Sequence, residues 1–170
     1  MKSLVHAICR LYSAAVGLVC YLQSPFLLAV RLYWGWQISQ NGWAKLHDLP
    51  RVTEFFANLG LPAPGFTAAF VSTTEFIVGI LLFVGLFSRI AAFALTVDMT
   101  VAYLTADRES LFAFFSNPGK FYTADPYTFL FAALLILIMG PGFLSLDWLL
   151  KRSLSKLFPE ESGLRPQARI

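Results

Sequence analysis

The sequence predicts an all-α protein: an integral membrane four-helix bundle with an interfacial helix at its N-terminus and a short amphipathic helix after the first span. Three observations predict it. Of the 170 residues 57% are hydrophobic and only 14% charged, with a mean hydropathy of +0.64, a balance foreign to ordinary soluble domains. Apolar runs of about 20 residues recur, each enough to cross a hydrocarbon core. Two of these runs also hold an isolated carboxyl: Glu75 is the only ionisable group between Thr67 and Phe87, and Asp98 sits at the centre of the next run. A charge at mid-bilayer costs about 2.5–3.5 kcal/mol on insertion scales, so such residues face a protein interior and find partners there.

The elements follow in order. From Leu4 to Gln23, the residues Leu4, Ile8, Leu11, Ala15, Leu18 and Leu22 fall on one helical face, the pattern of a helix lying in the membrane interface; a fifth span is the competing reading of this stretch. Ser24-Pro25 is an N-cap followed by proline at the first helical position, and opens a first span running to about Lys45. Val52, Phe55, Phe56 and Leu59 then recur at helical spacing until Gly60 and Pro62, so a short amphipathic helix is expected flat on the membrane. The second span is Thr67 to Phe87, with Ser88-Arg89 as a tight link, and the third runs from Ile90 to about Ala106. Between Asp107 and Asp125 an aromatic loop with Phe112, Phe114, Phe115, Phe121 and Tyr122 surrounds an Asn117-Pro118-Gly119 turn, suited to the headgroup layer. Asp125-Pro126 opens the fourth span, broken at Gly140-Pro141-Gly142 before a short apolar stretch with Trp148. The expected organisation is an interfacial helix over 1–23, a four-span domain over 24–150 and a charged cytoplasmic tail over 151–170, disordered at its end.

Four spans place the N-terminus, the Ser88-Arg89 link and the C-terminus on one side with nine of the 13 basic residues; Lys45, Arg51, Arg108 and Lys120 lie on the other. The positive-inside rule then puts both termini in the cytoplasm, in a plasma (inner) membrane. The basic residues flank apolar runs instead of forming a patch with interleaved aromatics, which excludes a nucleic-acid partner. Cys9 and Cys20, eleven residues apart on one helix, are about 16 Å apart along its axis, too far for a disulfide. No dithiol, metal-ligand set, P-loop or dinucleotide fingerprint is present, so redox chemistry here has to come from a bound cofactor or a partner.

The polar residues of the spans are therefore the candidate site. Arg31, Ile38 and Lys45 are spaced by sevens, with Gly35, Asn41 and Gly42 beside them, a stripe that admits a close neighbour helix. Trp34 and Trp36 point to other faces and border a lipid-side approach. Counting from the cytoplasmic ends places Arg31 at roughly 9 Å, Asp98 at roughly 13–15 Å, and Gln37 and Glu75 at roughly 18–20 Å. This predicts an Arg31–Asp98 pair, and Glu75 beside the neutral Gln37 and Asn41. Two readings stand: the network holds the helices together, or Glu75 or Asp98 exchanges protons with a ligand docked between them. A small proton-coupled transporter is a third. His6 with Cys9, and the outer-surface His47, have ordinary structural explanations.

The order Arg31-x-x-x-Gly35, Asn41-Gly42-x-x-Lys45, Phe55-Phe56, Gly60-Leu61-Pro62, Glu75-x-x-x-Gly79 and Gly85-Leu86-x-x-Arg89 resembles the DoxX family of small four-span membrane proteins, over roughly residues 27 to 145. The resemblance implies a four-helix membrane bundle and kinship with the membrane subunit of a thiosulfate:quinone oxidoreductase. It implies less about activity: the cofactor stays unknown, with a membrane quinone as the candidate, and a protein partner in a redox or stress-response complex is expected. Asp98 has no counterpart in the motifs that carry the resemblance. In this reading Arg31, Glu75 and Asp98 line the interior site, Gln37, Asn41 and Lys45 shape its mouth, and the chain is the membrane component of a quinone-linked or redox-associated complex. The alternative is a non-enzymatic membrane adaptor or assembly factor.

Overall fold

The computed structural model describes residues 2–157, and those residues are helical with short connections. Eight helices occur among them: α1 (Lys2–His47), α2 (Leu49–Asn58), α3 (Pro64–Val84), α4 (Ser88–Thr105), α5 (Arg108–Phe112), α6 (Pro118–Tyr122), α7 (Pro126–Met139) and α8 (Leu146–Leu157). Helix α1 packs on α3, α3 on α4, α4 on α7, and α7 returns to α1. The core between them is mainly aliphatic, built from Val30, Ile38, Val78, Leu82, Ala91, Ala92, Leu95, Met99, Phe129, Ala132, Ala133 and Ile136. The outward faces stay apolar as well: Phe70, Ile77, Ile80, Phe93, Val97 and Val101 are all exposed. Such an exterior is at home in lipid, where it need not be hidden from water.

Helix α1 corrects the expected break at Ser24-Pro25. An interfacial helix followed by a separate span is replaced by one helix of 46 residues with Pro25 inside it, about 69 Å long. Proline removes one backbone donor, which a long apolar helix tolerates where lipid offers no competing partner. Pro25 also marks a change of environment. Ile8 to Leu22 are exposed on every face, whereas beyond it Leu27, Val30, Arg31, Gly35, Ile38, Ser39 and Gly42 form a buried stripe at three- and four-residue spacing. Ile8–His47 and Pro64–Val84 are long and apolar enough to cross a membrane. Helix α7, at 14 residues, is apolar but shorter.

The α1–α3 contact is backbone on backbone. A Cβ placed on Gly35 would lie 2.8 Å from the Phe83 nitrogen, one on Gly42 2.4 Å from the Phe76 nitrogen, and one on Gly79 2.4 Å from the Ser39 nitrogen. Three glycines thus set the register: Gly35 faces Phe83, Ser39 faces Gly79 and Gly42 faces Phe76.

The expected Ser88-Arg89 link is also displaced. Helix α3 ends at Gly85 (φ +76°), where the amides of Gly85 and Leu86 both donate to the Leu81 carbonyl at 2.9 Å, and Ser88 already begins α4. Both oxygens of Asp147, in the first turn of α8, accept from the start of α4, from Phe87 N at 2.7 Å and Ser88 N at 2.8 Å. A carboxylate there satisfies amides that have no partner within the helix. The aromatic loop contains two short helices, α5 and α6. Tyr103 of α4 holds α6 by donating to the Phe121 carbonyl at 2.8 Å and stacking on the Phe121 ring. Lys151 to Leu157, expected in the tail, continue α8, and the rest of the tail lies outside the described residues.

Candidate functional site

A cavity of about 700 Å³ lies toward the end of the helices where α1 finishes. Its polar wall is supplied by Gln37, Asn41 and Lys45 from α1, Glu75 from α3 and Asp98 from α4, and its apolar wall includes Ile38, Val71, Met99 and Phe129. At the mouth stand Phe55, Phe56 and Leu59 of α2 on one side and Tyr122 and Asp125 on the other, with Asp107 nearby. The sequence places these groups together for simple reasons. Lys45 lies one turn beyond Asn41 on the same helix, and Gly42 between them brings α3 close enough for Glu75 to reach it.

Glu75 is buried, and its Oε1 accepts from Lys45 Nζ at 2.5 Å. Its second oxygen, Oε2, is buried without a hydrogen-bond partner among the described residues, and so is Oδ2 of Asp98. Glu75 and Lys45 are the charges that act most strongly on Asp98. Two carboxyls and one ammonium therefore share the wall, and each carboxyl keeps a free oxygen.

Two expected pairings are corrected here. Arg31 does not meet Asp98. Its Nη2 donates to the Leu144 carbonyl, its guanidinium fills the space a Cβ on Gly85 would need, and the carboxylate acting on it is that of Asp147. It belongs to the opposite end of the helices, where its Nε and Nη1 are buried without partners among the described residues. Glu75 is beside Gln37 and Asn41 in the cavity wall, but its partner is charged. The α1–α3 register explains both errors: Glu75 lies level with Trp43, because α1 does not begin at the edge of the helix cluster but overhangs it. Counting depth from Ser24 therefore set the whole helix too low.

Of the sequence-chosen residues, the structure brings Gln37, Asn41, Lys45, Glu75 and Asp98 to one cavity and leaves Arg31, Trp34 and Trp36 out of its wall. Trp34 is half-buried against the core, and exposed Trp36 leans on Phe83 with ring centroids 6.0 Å apart. Sequence reasoning missed Asp107 and Asp125. Burial and then the neighbouring Asp125 charge hold the Asp107 carboxyl above the usual carboxylate range. Their bracketing of the aromatic loop was the available signal. Outside the cavity lining, Lys120 Nζ donates to Glu109 Oε2 at 2.8 Å, which holds the exposed Glu109 carboxyl below its ordinary value.

Compared with known families, the sequence model described as DoxX matches residues 26–108, just under half of the chain, from the packed part of α1 to the start of α5. No curated protein and no solved structure matches it.

Proposed function

The chain belongs to the DoxX family of membrane proteins, and from that premise we propose that it is the multi-pass membrane component of a redox-associated complex, holding a quinone head group in the Lys45–Glu75–Asp98 cavity. Helices α1, α3, α4 and α7 cross the plasma membrane with both termini cytoplasmic, and the cavity opens toward the outer interface between α2 and α6. The observation that carries this reading is the cavity itself: about 700 Å³, mainly apolar, with a few convergent polar groups. Small-molecule sites have that size and that mixture. The residues suit the hydroxyl-bearing, reduced form of such a guest, since two buried carboxyl oxygens there have no partner among the described residues.

A bound quinone would supply two-electron, two-proton carrier chemistry, which the chain's own side chains lack. The chain's residues hold, orient and shield. Lys45, kept in place by Glu75, directs its remaining N–H donors at a carbonyl or hydroxyl oxygen in the cavity. Asp98 would accept from a hydroxyl of the guest, and Met99 and Phe129, in the apolar wall, would shield its ring from water. Gln37 and Asn41 add amide groups on the α1 side. Arg31 anchors α1 to the Leu144 carbonyl at the other end, so it shapes the cavity only through the helix it positions.

The test is quinone retention. Protein purified in mild detergent from quinone-containing membranes is expected to carry bound quinone detectable in its solvent extract, and Ala102→Trp, which fills the cavity from α4, is expected to lose it. Equal retention by wild type and Ala102→Trp would move the quinone elsewhere. Its absence from both would leave the adaptor reading, in which the exposed Phe112 and Phe115 meet a partner protein.

A further inference from the structure

We infer that the cavity discriminates between redox states of its guest, binding the reduced, hydroxyl-bearing form of a quinone couple more tightly than the oxidised form. This rests on the reading of the cavity as a quinone site. It comes from an inventory of donors and acceptors in the wall. Oε1 of Glu75 is taken by Lys45, while Oε2 of Glu75 and Oδ2 of Asp98 are buried without partners among the described residues. No wall hydroxyl relieves them: those of Thr128 and Tyr122 donate to no group among the described residues, yet neither reaches these two oxygens, and the others are already engaged. Thr67 donates to the Pro62 carbonyl, Thr105 to the Val101 carbonyl and Thr123 to the Gly119 carbonyl, at 2.7 to 2.8 Å, so each turns only lone pairs toward the cavity. Asp107 and Asp125 at the mouth form no side-chain hydrogen bond or ion pair among the described residues. Against these stand Lys45, whose charge is engaged by Glu75, and the amides of Gln37 and Asn41, which offer as many acceptor sites as donors.

The two buried oxygens left open in the wall are therefore both acceptors. An oxidised quinone presents two carbonyl oxygens and no donor, so it adds acceptors to acceptors and leaves the buried carboxylate oxygens unsatisfied. The reduced form has the same ring and tail and presents two O–H donors, one for each free carboxylate oxygen. A buried acceptor left unsatisfied loses more than a typical hydrogen bond gains. The difference between the two forms thus falls on the hydroxyl contacts, while ring and tail contribute equally to both.

The experiment measures affinities of decylubiquinone and of decylubiquinol, the latter kept reduced under argon, for the wild-type protein in nanodiscs. The expected result is a reduced form bound at least tenfold tighter. For a two-electron couple this corresponds to a midpoint potential of the bound probe raised by about 30 mV, read independently by redox titration. Asp98→Asn replaces one acceptor oxygen by an amide donor and is expected to narrow the ratio mainly by weakening the reduced form. Equal affinities, or tighter binding of the oxidised form, overturn the inference and leave the quinone site standing. Binding of neither form overturns both. The wild-type ratio decides the matter even if Asp98→Asn does not fold.

Discussion

Lys45 Nζ and Glu75 Oε1 meet at 2.5 Å across the α1–α3 contact, with the lysine side chain 36% exposed and the glutamate 3%. The asymmetry dictates what each substitution does. Lys45→Met strands a buried carboxylate and is expected to cost about 3 kcal/mol, the low end for a broken buried pair because the lysine is partly solvated. Glu75→Gln leaves an ammonium that swings toward the mouth, so its cost is smaller. The double variant should recover most of the Lys45→Met loss. Chemical unfolding in detergent provides the four stabilities, and simple additivity would mean that the two groups do not act as a pair.

The glycines of the same contact make a second prediction. Gly79→Ala drives a Cβ to 2.4 Å from Ser39 N and 2.7 Å from Ser39 Cα, backbone that no rotamer change moves aside. Its expected cost is about 1–3 kcal/mol, the range for overpacking, together with a wider α1–α3 spacing. Gly17→Ala is the control. Nothing lies within 4 Å of a Cβ there, so the better helix former leaves stability unchanged or raises it. Equal destabilisation by the two would contradict the close approach.

A third prediction concerns pH at the cavity mouth. Asp107 titrates above the ordinary carboxylate range because of burial first and Asp125 second. Asp125→Asn is therefore expected to bring it down without restoring the ordinary value, as followed by carboxyl carbon NMR on the labelled protein. The sign for stability follows from proton binding. Between the ordinary and the raised value the folded protein holds a proton that the unfolded chain has released, so this group's contribution falls as pH rises through that window. An Asp107 titration indifferent to Asp125→Asn would separate the two carboxyls.

The proposed topology makes a fourth prediction. Reporter fusions after Arg89 and after Lys151 should report as cytoplasmic, and one at Asn117 as external. An external signal at Lys151 would remove the arrangement with four crossings.

Much of this was legible in the sequence because the strongest signals were local. Two carboxyls in apolar runs, the Gly60–Pro62 stop and the Asp125-Pro126 start identified helices and put Glu75 and Asp98 in the interior, where both line the cavity. Partners were less legible, because they depend on how two helices slide past each other, and that register is set by Gly35, Gly42 and Gly79, whose contacts appear only in three dimensions. Reading Ser24-Pro25 as a helix start shifted α1 against α3 and gave Arg31 the wrong carboxylate. Asp147 was overlooked because it follows a Gly-Pro-Gly break, and nothing in the local pattern shows that the chain folds back onto the α3–α4 turn.

That fold-back has a mechanical consequence. Asp147 clasps the amides of Phe87 and Ser88 while its own amide donates to the Gly85 carbonyl at 2.9 Å. Arg31 reaches into the same knot through Leu144. Helix α8 is therefore tethered by its first turn, and a force applied to it is delivered to the α3–α4 turn and, by way of Leu144, to α1.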